Sequence, residues 1–136
     1  MKTILVIDGK GGGMGGALVS RLKAVVEGAE ILAVGTNALA TSAMLKAGAD
    51  DGATGENSIV TLAAKADVIA GPIGIVLADS MLGEITAAMA AAVSRSSAYK
   101  VLIPNAKSHV VICGNQELPL GRYLEDAVEK IIQALQ

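Results

Sequence analysis

The residues best suited to chemistry are a run of glycines near the amino terminus. Asp8-Gly9-Lys10-Gly11-Gly12-Gly13-Met14-Gly15-Gly16 holds six of the 16 glycines in the chain. Gly11-x-Gly13-x-x-Gly16 matches the spacing of a dinucleotide fingerprint, which is meaningful only between a strand and a helix. Glycines there permit a tight turn and let bare backbone N–H groups approach a pyrophosphate. The amino terminus of the following helix adds partial positive charge. The alternative is that these glycines only pack the helix against the strand.

The surrounding residues narrow the chemistry. An NAD site wants a carboxylate about 20 residues on, at the end of the second strand, to hold ribose hydroxyls. That place holds Gly35, Thr36 and Asn37. Thr36 and Asn37 suit a ribose or a 2′-phosphate, and Lys10 adds charge favouring NADP. An exposed, ionised Asp8 would repel a phosphate by about 1–4 kcal/mol at about 4 Å, so Asp8 is expected to point away or to hold a cation. A P-loop requires Lys and Ser or Thr at the end of the loop, where this chain has Gly15, Gly16 and Ala17. Gly9-x-x-x-Gly13-x-Gly15 also fits the spacing of short-chain dehydrogenases. Their Tyr-x-x-x-Lys pair is missing, since Tyr99 adjoins Lys100 and Tyr123 has no lysine four residues on.

Three further loops are built from glycine and small polar residues: Gly35-Thr36-Asn37, Ala53-Thr54-Gly55-Glu56-Asn57 and Gly71-Pro72-Ile73-Gly74. In an open α/β sheet, ligands sit at the carboxyl edge of the strands, where such loops gather. The candidate binding residues are therefore Gly9, Lys10, Gly11, Gly12, Gly13, Met14, Gly15, Gly35, Thr36, Asn37, Gly71, Pro72, Ile73 and Gly74. The expected ligand is NAD or NADP, another nucleotide or a small phosphorylated metabolite. Each loop can equally serve as a helix cap. No catalytic residue stands out. His109 and Cys113 would share a strand face but have no orienting partner in sequence. Asp79 or Ser80 reads as a helix cap, and Asn105 and Lys107 as a turn beside the crevice. Two other readings stay open. One is an enzyme whose site, with Asp8, Asp79, Glu84 or His109, is completed across a subunit interface. The other is a ligand-free interaction module.

The elements that must position these loops follow from periodicity. Ile4-Leu5-Val6-Ile7 and Ile31-Leu32-Ala33-Val34 are apolar runs of strands buried on both faces. Met14, Leu18, Leu22 and Val25 mark a helix from Met14 to Val26. A second helix, capped by Thr36 or Asn37, runs to Ala47. A short strand is expected near Gly52-Ala53. Thr54 is expected to cap a helix to Lys65, before a strand from Asp67 to Ala70. Ser80 to Arg95 reads as one helix that is apolar nearly all round. Val101-Leu102-Ile103 and Val110-Val111-Ile112-Cys113 read as strands too close for a helical crossover, hence an antiparallel pair. The final helix spans Arg122 to Leu135. The expected fold is α/β: a Rossmann-like, three-layer, doubly wound and mostly parallel sheet with an antiparallel carboxyl-terminal strand pair.

Composition bounds the partners. With 136 residues the chain reads as one domain, 1–136. Eleven Lys plus Arg against 13 Asp plus Glu give a net charge of −2, which offers no basic field for nucleic acid. There is no Phe or Trp, so bases have little to stack on. A single cysteine excludes a disulfide framework and a multi-cysteine metal site. The apolar run from Val68 to Ala78 is too short for a bilayer, and Asp8 ends the first run too early for a signal peptide. A cytoplasmic protein with no membrane contact is expected. Hydrophobic residues make up 52% of the chain and charged ones 18%, a sparse surface that points to a homo-oligomer.

Several phrases together resemble one family: Gly35-Thr-Asn, Ala40-Thr-Ser-Ala-Met-Leu-Lys-Ala-Gly-Ala49, Gly52-Ala-Thr-Gly-Glu-Asn57, and Gly71-Pro-Ile-Gly74 with Met81-Leu-Gly-Glu-Ile-Thr86. It is a bacterial family of short Rossmann-like proteins described as a domain of unknown function. The resemblance covers nearly the whole chain. It implies a nucleotide-binding-type fold and leaves the activity open.

Overall fold

The computed structural model describes residues 1–136, apart from the side chain of Ala106. Five strands form one sheet: β1 (Lys2–Asp8), β2 (Ala29–Gly35), β3 (Asp51–Thr54), β4 (Val68–Pro72) and β5 (Tyr99–Ile103). Their order is β3-β2-β1-β4-β5, and every pairing is parallel. Five α-helices connect or follow them: α1 (Gly13–Val25), α2 (Ala38–Lys46), α3 (Glu56–Ala63), α4 (Ala87–Arg95) and α5 (Leu120–Ala134).

The continuous apolar runs lie where burial on two faces demands them. Ile4 and Val6 point into a core shared with Leu18 and Leu22 of α1, Met44 of α2 and Leu124 and Ile131 of α5. Leu5 and Ile7 point the other way, against Ile59 of α3 and Met89 and Val93 of α4. All four β1 side chains are 0% exposed, and each such burial stabilises the fold by about 1.5–3 kcal/mol. The outcome is three layers: helices, parallel sheet, helices.

The chain turns outward in opposite directions on the two sides of β1, so the switch point lies between β1 and β4. The β1–β2 ladder runs to Asp8 opposite Gly35, and the β4–β5 ladder to Pro72 opposite Ile103. The β1–β4 ladder stops at Val6 opposite Ala70. The carboxyl ends of β1 and β4 therefore frame a crevice, the usual place for a ligand in such sheets.

Three expectations need correction, and the cap of α2 is resolved between its two candidates. The antiparallel pair is not formed. Pro104 ends β5, a 3-10 turn follows at Ala106–Ser108, and His109 takes φ 56°, which steers Val110–Cys113 away from the sheet. Val111 is left 91% exposed. The long apolar helix does not begin at Ser80. A 3-10 turn, Ile73–Val76, is followed by a knot of turns closed by the Asp79 N–H donating to the Ile85 carbonyl at 2.7 Å. Thr86 then caps α4 by accepting from the Met89 N–H at 3.1 Å, so neither Asp79 nor Ser80 is the cap. Gly55, not Thr54, is the N-cap of α3; the Thr54 hydroxyl instead meets that of Thr41 at 2.7 Å. Asn37, rather than Thr36, caps α2, its Oδ1 accepting from Ala40 at 2.9 Å.

Candidate functional site

The glycine loop joins the end of β1 to the start of α1 and forms one wall of a cavity of about 360 Å³. This lies at the small end of the range for ligand pockets, roughly 300–1,000 Å³. The opposite wall comes from Pro72 at the end of β4, from Gly74, Ser80 and Met81 after it, and from Asn105, Lys107 and Ser108 after β5. Three loops thus meet at the switch point.

The glycines of the loop divide into two kinds. A Cβ on Gly12 would stand 2.8 Å from the Ala40 Cα, and one on Gly15 would stand 2.8 Å from both the Asp8 Cβ and the Met44 sulfur. These two let the loop and α1 lie against α2 and β1. Gly12 also adopts φ 73°, which other residues reach only at a cost. Gly11 and Gly13 differ: a Cβ on either would meet nothing within 4 Å. Both border the cavity, so packing does not explain their lack of a side chain.

Asp8 is 5% exposed and turns beneath the loop. Its carboxylate accepts from the Gly9 N–H at 2.8 Å and the Gly15 N–H at 2.7 Å. It thereby supplies the capping acceptor that Gly12, the N-cap, lacks. Burial pushes its carboxyl above the ordinary range, against the two amide hydrogen bonds, with the nearby Glu84 charge adding to the rise. Asp8 ties up the third amide of α1. The N–H groups of Gly11, Gly13 and Met14 find no protein acceptor among the described residues; for Gly13 and Met14 this is expected of the first amides of a helix. These three residues line the cavity, together with Lys10 and Lys107.

The β2 side of the loop is closed. Glu84 reaches across from the turns after β4, and its Oε1 accepts from the Thr36 hydroxyl at 2.6 Å, the Lys10 N–H at 2.8 Å and the Asn37 side-chain amide at 2.9 Å. The Thr36 hydroxyl, the Lys10 amide and the Asn37 amide hold its carboxyl below the ordinary range. Lys10 is fixed on both sides, since Asn37 also donates to its carbonyl at 2.9 Å; this accounts for its φ of 53°. The segment that carries Glu84 is itself contorted, with Asp79, Met81 and Leu82 all at φ between 55° and 65°. Such clusters of left-handed non-glycine residues gather at ligand sites and switch segments.

The candidate residues therefore separate. Gly9 to Met14, Pro72 and Gly74 come together around the cavity, while Gly15 packs beneath it. Gly35, Thr36 and Asn37 do not line it. A Cβ on Gly35 would stand 2.5 Å from the Thr41 nitrogen, and the other two are engaged with Glu84. Gly71 faces β1 rather than the cavity. His109 and Cys113 lie on the exposed segment after β5. Asn105 and Lys107 prove to be part of the cavity wall. Ser80, expected as a helix cap with a ligand role as the alternative, also lines the cavity; Met81 and Ser108 had no signal in sequence, and only the fold brings them there. Among the described residues there is no cluster of His, Cys, Asp and Glu able to hold a metal, and no helix long and apolar enough to cross a membrane.

Two solved structures are similar in fold. One is described as a dodecameric FMN-dependent UbiX-like decarboxylase from Escherichia coli O157:H7. It has a TM-score of 0.52 at 16% identity, over 99% of this chain and 94% of that one. The other is AibC, with a TM-score of 0.52 at 18% identity, over 97% of this chain and 42% of that one. At these identities the likeness establishes an α/β fold and no more. No curated protein matches the sequence. The family comparison reaches further: the model of DUF3842, a domain of unknown function, matches residues 3–136, and the chain belongs to that family.

Proposed function

We propose that this protein binds a nucleotide or similar phosphorylated small molecule in the crevice between β1 and β4. The phosphate would rest on the N–H groups of Gly11, Gly13 and Met14, at the positive end of α1, with Lys10 and Lys107 balancing its charge. The observation that carries this reading is the contrast among the glycines: Gly12 and Gly15 are needed for packing, whereas Gly11 and Gly13 open onto a cavity. The strand order, 3-2-1-4-5, matches the first five strands of the six-stranded order of dinucleotide-binding sheets and supports the same reading. So does the FMN dependence of a protein of similar fold. NAD and NADP belong to this ligand class. A nucleotide thermal-shift series on the purified protein tests the reading. Stabilisation of about 2.7 kcal/mol is expected for a ligand at a hundred times its Kd. No shift with any nucleotide at millimolar concentration would overturn it.

A second reading concerns assembly. Val110, Val111, Ile112, Leu118 and Leu120 are exposed on the segment after β5, in a hollow that shares Met14 and Asn105 with the cavity wall. We infer that a second copy of the chain covers this apolar face and completes the rim of the site, and the protein of similar fold is itself dodecameric. Sedimentation velocity should show an oligomer that Val111→Asp dissociates. A wild-type monomer at micromolar concentration would refute this.

A further inference from the structure

The two flanks of the glycine loop differ in a way that selects the size of the ligand. In dinucleotide-binding sheets, the pyrophosphate crosses the loop and one nucleoside lies on each side of it. The ribose of the first is held at the end of β2. Here that flank is filled. A Cβ placed on Gly9 would find the Met81 sulfur at 2.7 Å, the Thr36 hydroxyl at 2.8 Å and the Glu84 Oε1 at 3.0 Å. The donors at the end of β2 that would meet a ribose, Thr36 and Asn37, are already bonded to Glu84. A second anchor holds the segment down from the far side: the Ser80 hydroxyl donates to the Gly74 carbonyl at 2.5 Å. The open volume of about 360 Å³ lies wholly on the other flank, toward β4 and β5.

We infer that the site takes a mononucleotide, with one nucleoside on the β4–β5 flank, and that Glu84 bars the second nucleoside of a dinucleotide from the β2 flank. This inference rests on the nucleotide-binding reading above and narrows it. It turns the apparent gap in the fingerprint into a feature. The carboxylate missing from the end of β2 is supplied from a segment 47 residues beyond Asn37, where it occupies the ribose position instead of binding one.

The test is a calorimetric titration of the purified protein with paired probes, AMP against NAD and FMN against FAD. In each pair the dinucleotide contains the mononucleotide, so the difference reads the second nucleotide unit, its nucleoside together with one further phosphate. At least one mononucleotide is expected to bind at least about tenfold more tightly than its dinucleotide, a gap of about 1.4 kcal/mol. Dinucleotide binding as tight as mononucleotide binding overturns the size selection but leaves the nucleotide-binding reading standing. If no probe binds, this inference falls, and the thermal-shift series with the other nucleotides decides whether the nucleotide-binding reading falls with it. Glu84→Ala opens the flank and should bring the paired affinities together. Glu84→Gln keeps the length and an acceptor oxygen and should retain the wild-type ratio. An unchanged ratio in a folded Glu84→Ala protein removes Glu84 as the barrier.

Discussion

Substituting Asp for Gly13 is expected to abolish nucleotide binding while leaving the fold as stable as before. Gly13 is the first residue of α1, and a Cβ there meets nothing within 4 Å, so the new side chain has room. A carboxylate in the first turn interacts favourably with the helix dipole, and exchanging Gly for a residue with less freedom in the unfolded chain also stabilises. The thermal midpoint should therefore hold or rise. The ligand fares otherwise. The carboxylate would project from a residue that lines the cavity and stand among the amides offered to the phosphate. Repulsion of about 1–4 kcal/mol at close range, added to lost space, should weaken binding at least about a hundredfold. Titration and a melting curve on the same preparation check both halves. Undiminished binding by Gly13→Asp would mean that the loop does not hold the ligand.

Gly71→Ala should have the opposite profile, destabilising the whole fold rather than the site alone. Gly71 lies in β4 just past the last residue paired with β1, and a Cβ there would stand 2.2 Å from the Ile7 carbonyl oxygen. That neighbour is backbone of the central strand, so relief requires moving β1 or β4. Both strands are fully buried in this region. Overpacking a rigid core by one methyl group costs about 1–3 kcal/mol or more, and a clash with backbone belongs at the upper end. Since small domains are stable by only about 5–15 kcal/mol, the variant should lose at least about 3 kcal/mol in urea denaturation. A loss below about 1 kcal/mol would show that the two strands separate easily at this point.

Much of this arrangement was legible in the sequence, for physical reasons that differ from element to element. The four apolar runs that became β1, β2, β4 and β5 are buried on both faces or covered by helices, so hydrophobicity alone marks them. The glycine loop was recognisable because its context, strand before and helix after, restricts what six clustered glycines can do. Periodicity failed where apolar residues are buried without being helical. Met81, Ile85 and Met89 have helical spacing, yet Met81 and Ile85 belong to a knot of turns pinned by Asp79 and Gly83, and the helix waits for its cap at Thr86. Val110–Cys113 failed for the converse reason: branched residues suggest a strand, but the 3-10 turn at Ala106–Ser108 and His109 at φ 56° leave the segment unpaired beside the edge strand β5. The site was half visible. The backbone donors can be read from the loop, whereas Glu84 reaches Thr36 and Asn37 only through tertiary folding. No spacing rule links residues 48 apart.

The most direct test of the account is what the protein carries from the cell. Freshly purified wild-type protein and Gly13→Asp should be denatured side by side, and the released small molecules identified by mass spectrometry. A nucleotide, a mononucleotide in particular, should be released from the wild type and be missing from the variant. Equal release from both, or none from a wild type that also fails to bind every nucleotide in titration, would contradict it. The glycine loop would then be a packing device.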